Sequence, residues 1–145
     1  MLTSKELNER GADNLPGHLG IVITHVSASE VRGELLVKNS LMAPTGFLHA
    51  GSVVSLADTC AGYGCAVNLP EDASGFTTIE LKANHLGTVR QGTIKCTAKP
   101  MHIGKTTQVW DAEVTHRESG KILALFRCTH MVLYSNQGSR TKFIL

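Results

Sequence analysis

HAGSVVSLADTCAGYGCAV, residues 49–67, is the stretch that decides the fold. Its side chains are apolar or small almost throughout, and the run is too long for a strand before Asn68-Leu69-Pro70 breaks it. As a helix it would span roughly 27–29 Å. A helix with little polar surface on any side is one buried on most sides. A membrane span is the competing interpretation. It is disfavoured because Asp58 would stand near the bilayer centre and no charged flanks anchor the ends.

Upstream, residues 2–12 predict a short polar helix, and residues 14–20 break it with Pro16, Gly17 and Gly20. Two β-type runs, 21–25 and 31–37, flank a polar segment and predict a hairpin, followed by a loop over 41–48 with Pro44 and Gly46. Downstream of Gly75 the pattern becomes period-two alternation. Ile79, Leu81 and Ala83 form one apolar face, as do Ile94, Cys96 and Ala98, then Trp110, Ala112 and Val114. The last run, 121–133, has Ile122, Ala124, Phe126, Cys128 and Val132 on one face and Leu123, Leu125, Met131 and Leu133 on the other, which predicts a central strand. Gly87, Gly92, Gly104 and Glu118-Ser119-Gly120 separate the runs by hairpin-sized gaps, so the sheet should be antiparallel. The expectation is a single α+β domain over residues 1–145, with about six antiparallel strands wrapped around one long helix. A sheet curved around an apolar helix buries both. The tail, residues 136–145, is expected to be loose.

Lys+Arg number 14 and Asp+Glu 12 in 145 residues, and aromatics make up 5%. That leaves neither the basic field nor the stacking side chains of a nucleic-acid binder. Cys60, Cys65, Cys96 and Cys128 show no C-x-x-C spacing, and the first residues carry no apolar signal region, so a reduced, cytoplasmic protein is expected. Cys60 and Cys65 are expected as small core residues. The histidines have neither i,i+4 pairing nor zinc-type cysteine partners, so no metal site is expected. Gly104-Lys105-Thr106 lacks the earlier glycine of a phosphate loop, having Lys99 there, and belongs to a β-turn.

Asp58 is the outstanding candidate, a carboxylate in the middle of the most apolar helix. Burying it costs several kcal/mol unless it is paired, and strongly perturbed acids concentrate at active sites. Ser55 or Thr59 could satisfy it locally. At the start of the helix, the free backbone N–H groups of Ala50 and Gly51 sit in the positive end of the dipole, where they can hold an oxyanion. His49 stands there as either a functional residue or a simple cap. Nine residues, roughly 13 Å of helix, separate His49 from Asp58, too far for both to touch one carbon. Antiparallel pairing of two such helices would bring one Asp58 to the other's N-terminus.

The segments MAPTGFLHAGSVVSLADTCAGYGCA, GFTTIELKANHLGTVRQG and SGKILALFRCTHMVL resemble the hotdog-fold acyl-CoA thioesterases of the phenylacetate-degradation and 4-hydroxybenzoyl-CoA thioesterase type, over about residues 20–134. That family opens the helix with His-Gly-Gly and carries an acid eight residues after the first glycine; here these are His49-Ala50-Gly51 and Asp58. The resemblance implies that Asp58 is nucleophile or general base for thioester hydrolysis. It also implies that the Ala50 N–H, with that of Gly51, polarises the carbonyl across a dimer interface. Two positions depart from the pattern. Ala50 replaces the first glycine but keeps its N–H, and Ala43 stands where the family often has Asn or Gln, with Thr45 as a substitute. Thr77 or Thr78 falls where some relatives carry a hydroxyl near the attacking water, and the alternation through Ile79 favours Thr77 as the inward one.

The resulting expectation is an acyl-CoA thioesterase acting on an aromatic or aliphatic thioester, as a homodimer or a dimer of dimers (a homotetramer). It would need no cofactor, coenzyme A being part of the substrate. Lys82, Arg90, Lys95, Lys99 and Lys105 would meet its phosphates or form an ordinary solvated surface. The rivals are a non-catalytic acyl-CoA-binding module and an acyl-thioester hydratase or dehydratase.

Overall fold

The computed structural model describes residues 2–135; the tail expectation for residues 136–145 lies outside them. The elements run α1 (Ser4–Gly11), α2 (Leu15–Leu19), β1 (Ile21–Val26), β2 (Val31–Leu36), a 3-10 turn (Asn39–Leu41), α3 (Ala50–Val67), β3 (Gly75–His85), β4 (Thr93–Ile103), β5 (Thr107–His116) and β6 (Ile122–Leu133). The six strands form one sheet in the order β1-β2-β4-β5-β6-β3, and every neighbouring pair is antiparallel. This is the hotdog architecture that the resemblance implies.

Leu56, Ala57, Cys60, Ala61 and Cys65 of α3 are buried together with Val31, Leu35, Ile94, Trp110, Val114 and Leu123 of the sheet. Two glycines set how closely the layers approach. A Cβ on Gly33 of β2 would come within 2.8 Å of Cys60 Sγ, and one on Gly64 of α3 would overlap the Trp110 ring. Small residues in both layers therefore let the helix lie directly on the sheet.

At the N-terminus, Thr3 and Glu6 form a reciprocal capping box that starts α1. The break expected over residues 14–20 contains a helix of its own. With Pro16 in its first turn and Gly20 left-handed at its end, α2 closes within five residues. Asn8 of α1 donates from its side-chain amide to the Ile23 carbonyl at 3.0 Å and accepts from the Ile23 N–H at 2.8 Å, fastening the helical pair to β1.

Two bulges change the side-chain parity read from the sequence. In β3, Thr78 pairs with His130 and Glu80 with Thr129, leaving Ile79 as the extra residue. Ile79 and Leu81, expected on the core face, are 52% and 43% exposed. The bulge is half of the reason; the other half is position, since β3 is an edge strand. In β6, the shift at Val114/Thr115 turns Leu123 inward and leaves Ile122 exposed. β6 is an interior strand as expected, but its outward residues Leu125 and Met131 face solvent.

Candidate active site

Asp58 stands on the face of α3 turned toward a cleft of about 740 Å³. Leu7 and Pro16 of the N-terminal helices form one wall, and Tyr63, Phe76 and Thr78 line the others. Asp58 Oδ1 is buried and has no hydrogen-bond partner among the described residues. The local hydroxyl Ser55 does not serve it, because its Oγ donates to the Gly51 carbonyl at 2.8 Å. Burial therefore acts on the carboxyl uncompensated and raises its pKa above the usual carboxylate range. A half-buried carboxylate with an unused oxygen beside a largely apolar cleft can take a proton from a water held there.

The start of α3 is a second, separate station. His49 is its N-cap, and its Nδ1 accepts from the Gly51 N–H at 2.8 Å. Of the two donors expected to meet a carbonyl oxygen, Gly51 is thus already engaged by a side chain of its own chain. The Ala50 N–H occupies the first helical position, where no intrahelical acceptor exists. Both Ala50 and Gly51 are exposed. The preceding loop is held in place by Leu48 N–H to the Val89 carbonyl, His49 N–H to the Leu41 carbonyl and Ser52 Oγ to the same Leu41 carbonyl at 2.8 Å. Thr45 lies exposed in that loop, next to Gly46, whose carbonyl accepts from Arg90. Arg90 also stacks 4.0 Å above the Phe47 ring.

Within one chain these two stations do not meet. Asp58 follows Ala50 by eight positions of one continuous helix, about 12 Å along its axis. Both threonines are exposed, but only Thr78 lines the Asp58 cleft. Strand parity favours Thr77 only through Ile79, the residue the bulge displaces.

Sequence reasoning missed His130. It is fully buried, its Nδ1 lies 3.2 Å from Thr78 Oγ1, and its Nε2 lies 3.3 Å from Cys128 Sγ. The Phe76 ring meets it edge-on at 5.0 Å. Burial depresses its pKa to about 4, against a smaller opposing effect of the Ala61 backbone, so the ring is neutral at pH 7. The available signal was its even spacing from Phe126 and Cys128 on the inward face of β6.

The thioesterase superfamily matches residues 45–123, more than half the chain and including both stations. A 1,4-dihydroxy-2-naphthoyl-CoA hydrolase of Listeria monocytogenes is 38% identical over 111 residues, covering 77% of this chain and 89% of that protein. The chain belongs to the thioesterase superfamily. Another 1,4-dihydroxy-2-naphthoyl-CoA hydrolase, from Escherichia coli, is 31% identical across 91% of this chain and 96% of its own length. Among solved structures, a thioesterase from Haemophilus influenzae superposes with a TM-score of 0.86 at 29% identity, covering 92% of both chains. In this member of the superfamily, Ala50, Asp58 and Thr78 all fall inside the matched segment, whereas His130 lies beyond it.

No helix among the described residues is long and apolar enough to cross a membrane. The described residues also contain no cluster of three or more His, Cys, Asp or Glu that could hold a metal ion. Lys99, one of the candidate phosphate contacts, lies 3.5 Å from Glu30 in an ion pair.

Proposed function

We propose that this chain, an acyl-CoA thioesterase, hydrolyses its substrate to the free acid and coenzyme A at a site built by two copies. Asp58 comes from one protomer and the Ala50 N–H from the other. The observation that carries this is the buried, unpartnered Asp58 oxygen in a cleft that its own helix start cannot reach. Asp58 takes a proton from water as the water oxygen bonds the thioester carbonyl carbon. The Ala50 N–H and the helix dipole hold the oxyanion. The C–S bond then breaks, and coenzyme A leaves as the thiol with the proton that Asp58 had taken.

The unpaired edge of β3, eleven residues long and carrying exposed Ile79 and Leu81, suits pairing with the same strand of a second copy. Met101 and Leu125, in an outer groove of the sheet, suit contact between two such dimers. The Tyr63 and Phe76 rings in the Asp58 cleft suit an aromatic acyl group, the class named for the Listeria and Escherichia relatives. The chemistry draws on no cofactor other than the coenzyme A of the substrate itself. Four free, buried cysteines suit a reducing compartment, the cytoplasm.

Thiol release over a panel of aromatic and aliphatic acyl-CoAs, with Asp58→Asn beside the wild type, tests this reading. Release by the wild type alone, fastest with aromatic substrates, is expected. Equal and negligible release by both, with acyl-CoA still bound, would instead identify a binding module, and hydration of an enoyl-CoA without thiol release a hydratase. Sedimentation at micromolar concentration is expected to show a dimer or tetramer; a monomer would leave the composite site without its second half.

A further inference from the structure

We propose that His130 is a positioning residue: its Nδ1 lone pair takes the Thr78 hydroxyl hydrogen, so that the Thr78 oxygen faces the Asp58 cleft as an acceptor for the attacking water. This rests on the hydrolase reading above and adds to it a residue that does not itself line the cleft.

The attacking water has more than one partner to satisfy. It must give one hydrogen to Asp58 and keep a lone pair aimed at the thioester carbonyl, so its other hydrogen requires an acceptor. Asp58 and Thr78 line the same cleft, and a hydroxyl can fill that role only if its own hydrogen is committed elsewhere. His130 Nδ1, 3.2 Å from Thr78 Oγ1, is the partner on hand. Nδ1 accepts only when the ring hydrogen is on Nε2, and at Nε2 stands Cys128 Sγ, 3.3 Å away. The Cys128 sulfur has lone pairs that can accept from Nε2–H, and the Ala61 backbone is a further acceptor for a ring N–H. The depressed His130 pKa removes the doubly protonated ring, in which neither nitrogen could accept. Full burial and the Phe76 edge contact fix the ring plane. Cys128, His130 and Thr78 thus form a one-directional chain of donors that ends in the cleft as an oxygen lone pair.

Nitrogen-15 NMR of the labelled wild-type protein reads the tautomer directly. The Nε2–H form is expected for His130 at pH 7, and the Nδ1–H form or a protonated ring would overturn the proposal. Kinetics supply a second test. Thr78→Val is expected to lower kcat by roughly tenfold to a hundredfold with KM little changed. His130→Leu is expected to lower kcat similarly in the wild-type background and to have almost no effect in Thr78→Val. His130→Gln, which retains an acceptor, should recover part of the loss. Wild-type kcat in Thr78→Val, or independent losses in the double variant, would overturn it even if His130→Leu folds poorly. These outcomes are separable from failure of the parent reading, which shows as equal thiol release, negligible or not, by the wild type and Asp58→Asn.

Discussion

The C-terminal end and the middle of α3 treat polar atoms in opposite ways. At its C-terminal end, Asn68 donates to the carbonyls of Gly64 at 2.9 Å and Ala28 at 3.0 Å. Gln108, fully buried, donates to the Asn68 carbonyl at 3.1 Å and accepts from Trp110 Nε1 at 3.0 Å. Each of these side chains is paired, and together they tie the helix end to β5 and to the β1–β2 turn. Fewer than three turns earlier, Asp58 buries an oxygen with no partner. An unsatisfied buried acceptor costs roughly 1–3 kcal/mol, and folding alone gives no reason to keep it. The paired end holds the helix, and the unpaired middle is left for a ligand to complete.

Asp58→Asn separates the two regions most strongly. Activity is expected to fall by about three orders of magnitude, within the range for losing a general base. Stability is expected to rise in the same variant, because the amide removes a carboxylate that burial disfavours at neutral pH. Opposite signs in a thiol-release assay and a thermal melt would mark Asp58 as functional. A loss of both would make it a structural acid like those at any well-packed helix end. In the wild type, kcat/KM should fall on the acid side with a midpoint above the usual carboxylate range, since the active form is the ionised one.

His130 gives the next largest effect. Its pKa is depressed to about 4 in the folded chain, against about 6.5 when unfolded. Above pH 6.5 neither state binds the proton and there is no penalty. As pH falls, the unfolded chain is protonated first, so stability is lost between about 6.5 and 4. The full loss is roughly 3 kcal/mol. Urea titrations across that window should show it, and His130→Gln should flatten the slope.

Much of this was legible in the sequence, and the exceptions have physical causes. The α3 boundaries and Asp58 could be read because a long apolar helix with one acid has few alternative explanations. The six-strand count could be read from alternation and turn glycines. Thr78 and His130 could not, because strand parity locates a side chain only while the register is unbroken. Ile79 is a bulge residue, and the sequence TTIEL is equally good with Thr77 or Thr78 turned inward. The exposure of Ile79 and Leu81 was also unreadable, since the position of β3 at the sheet edge is a matter of topology. The cap was one of two roles open for His49, and what decides it is a side-chain rotation that no spacing encodes.

The smallest effect tests the paired end directly. A Cβ at position 64 would overlap the six-membered ring of Trp110. Trp110 is fully buried and its indole nitrogen is bonded to Gln108, so the ring cannot withdraw without breaking that bond. Ala is otherwise the better helix former, worth about 1 kcal/mol over Gly inside a helix. Overpacking costs roughly 1–3 kcal/mol, so Gly64→Ala should destabilise by up to roughly 2 kcal/mol once the helical gain is subtracted. Because the disturbance is at the end of α3 away from Asp58, kcat measured well below the melting temperature should stay within about twofold of wild type. A large loss of kcat at unchanged stability would mean that the paired end and the cleft are one unit, and the contrast between the end and the middle of α3 would fail.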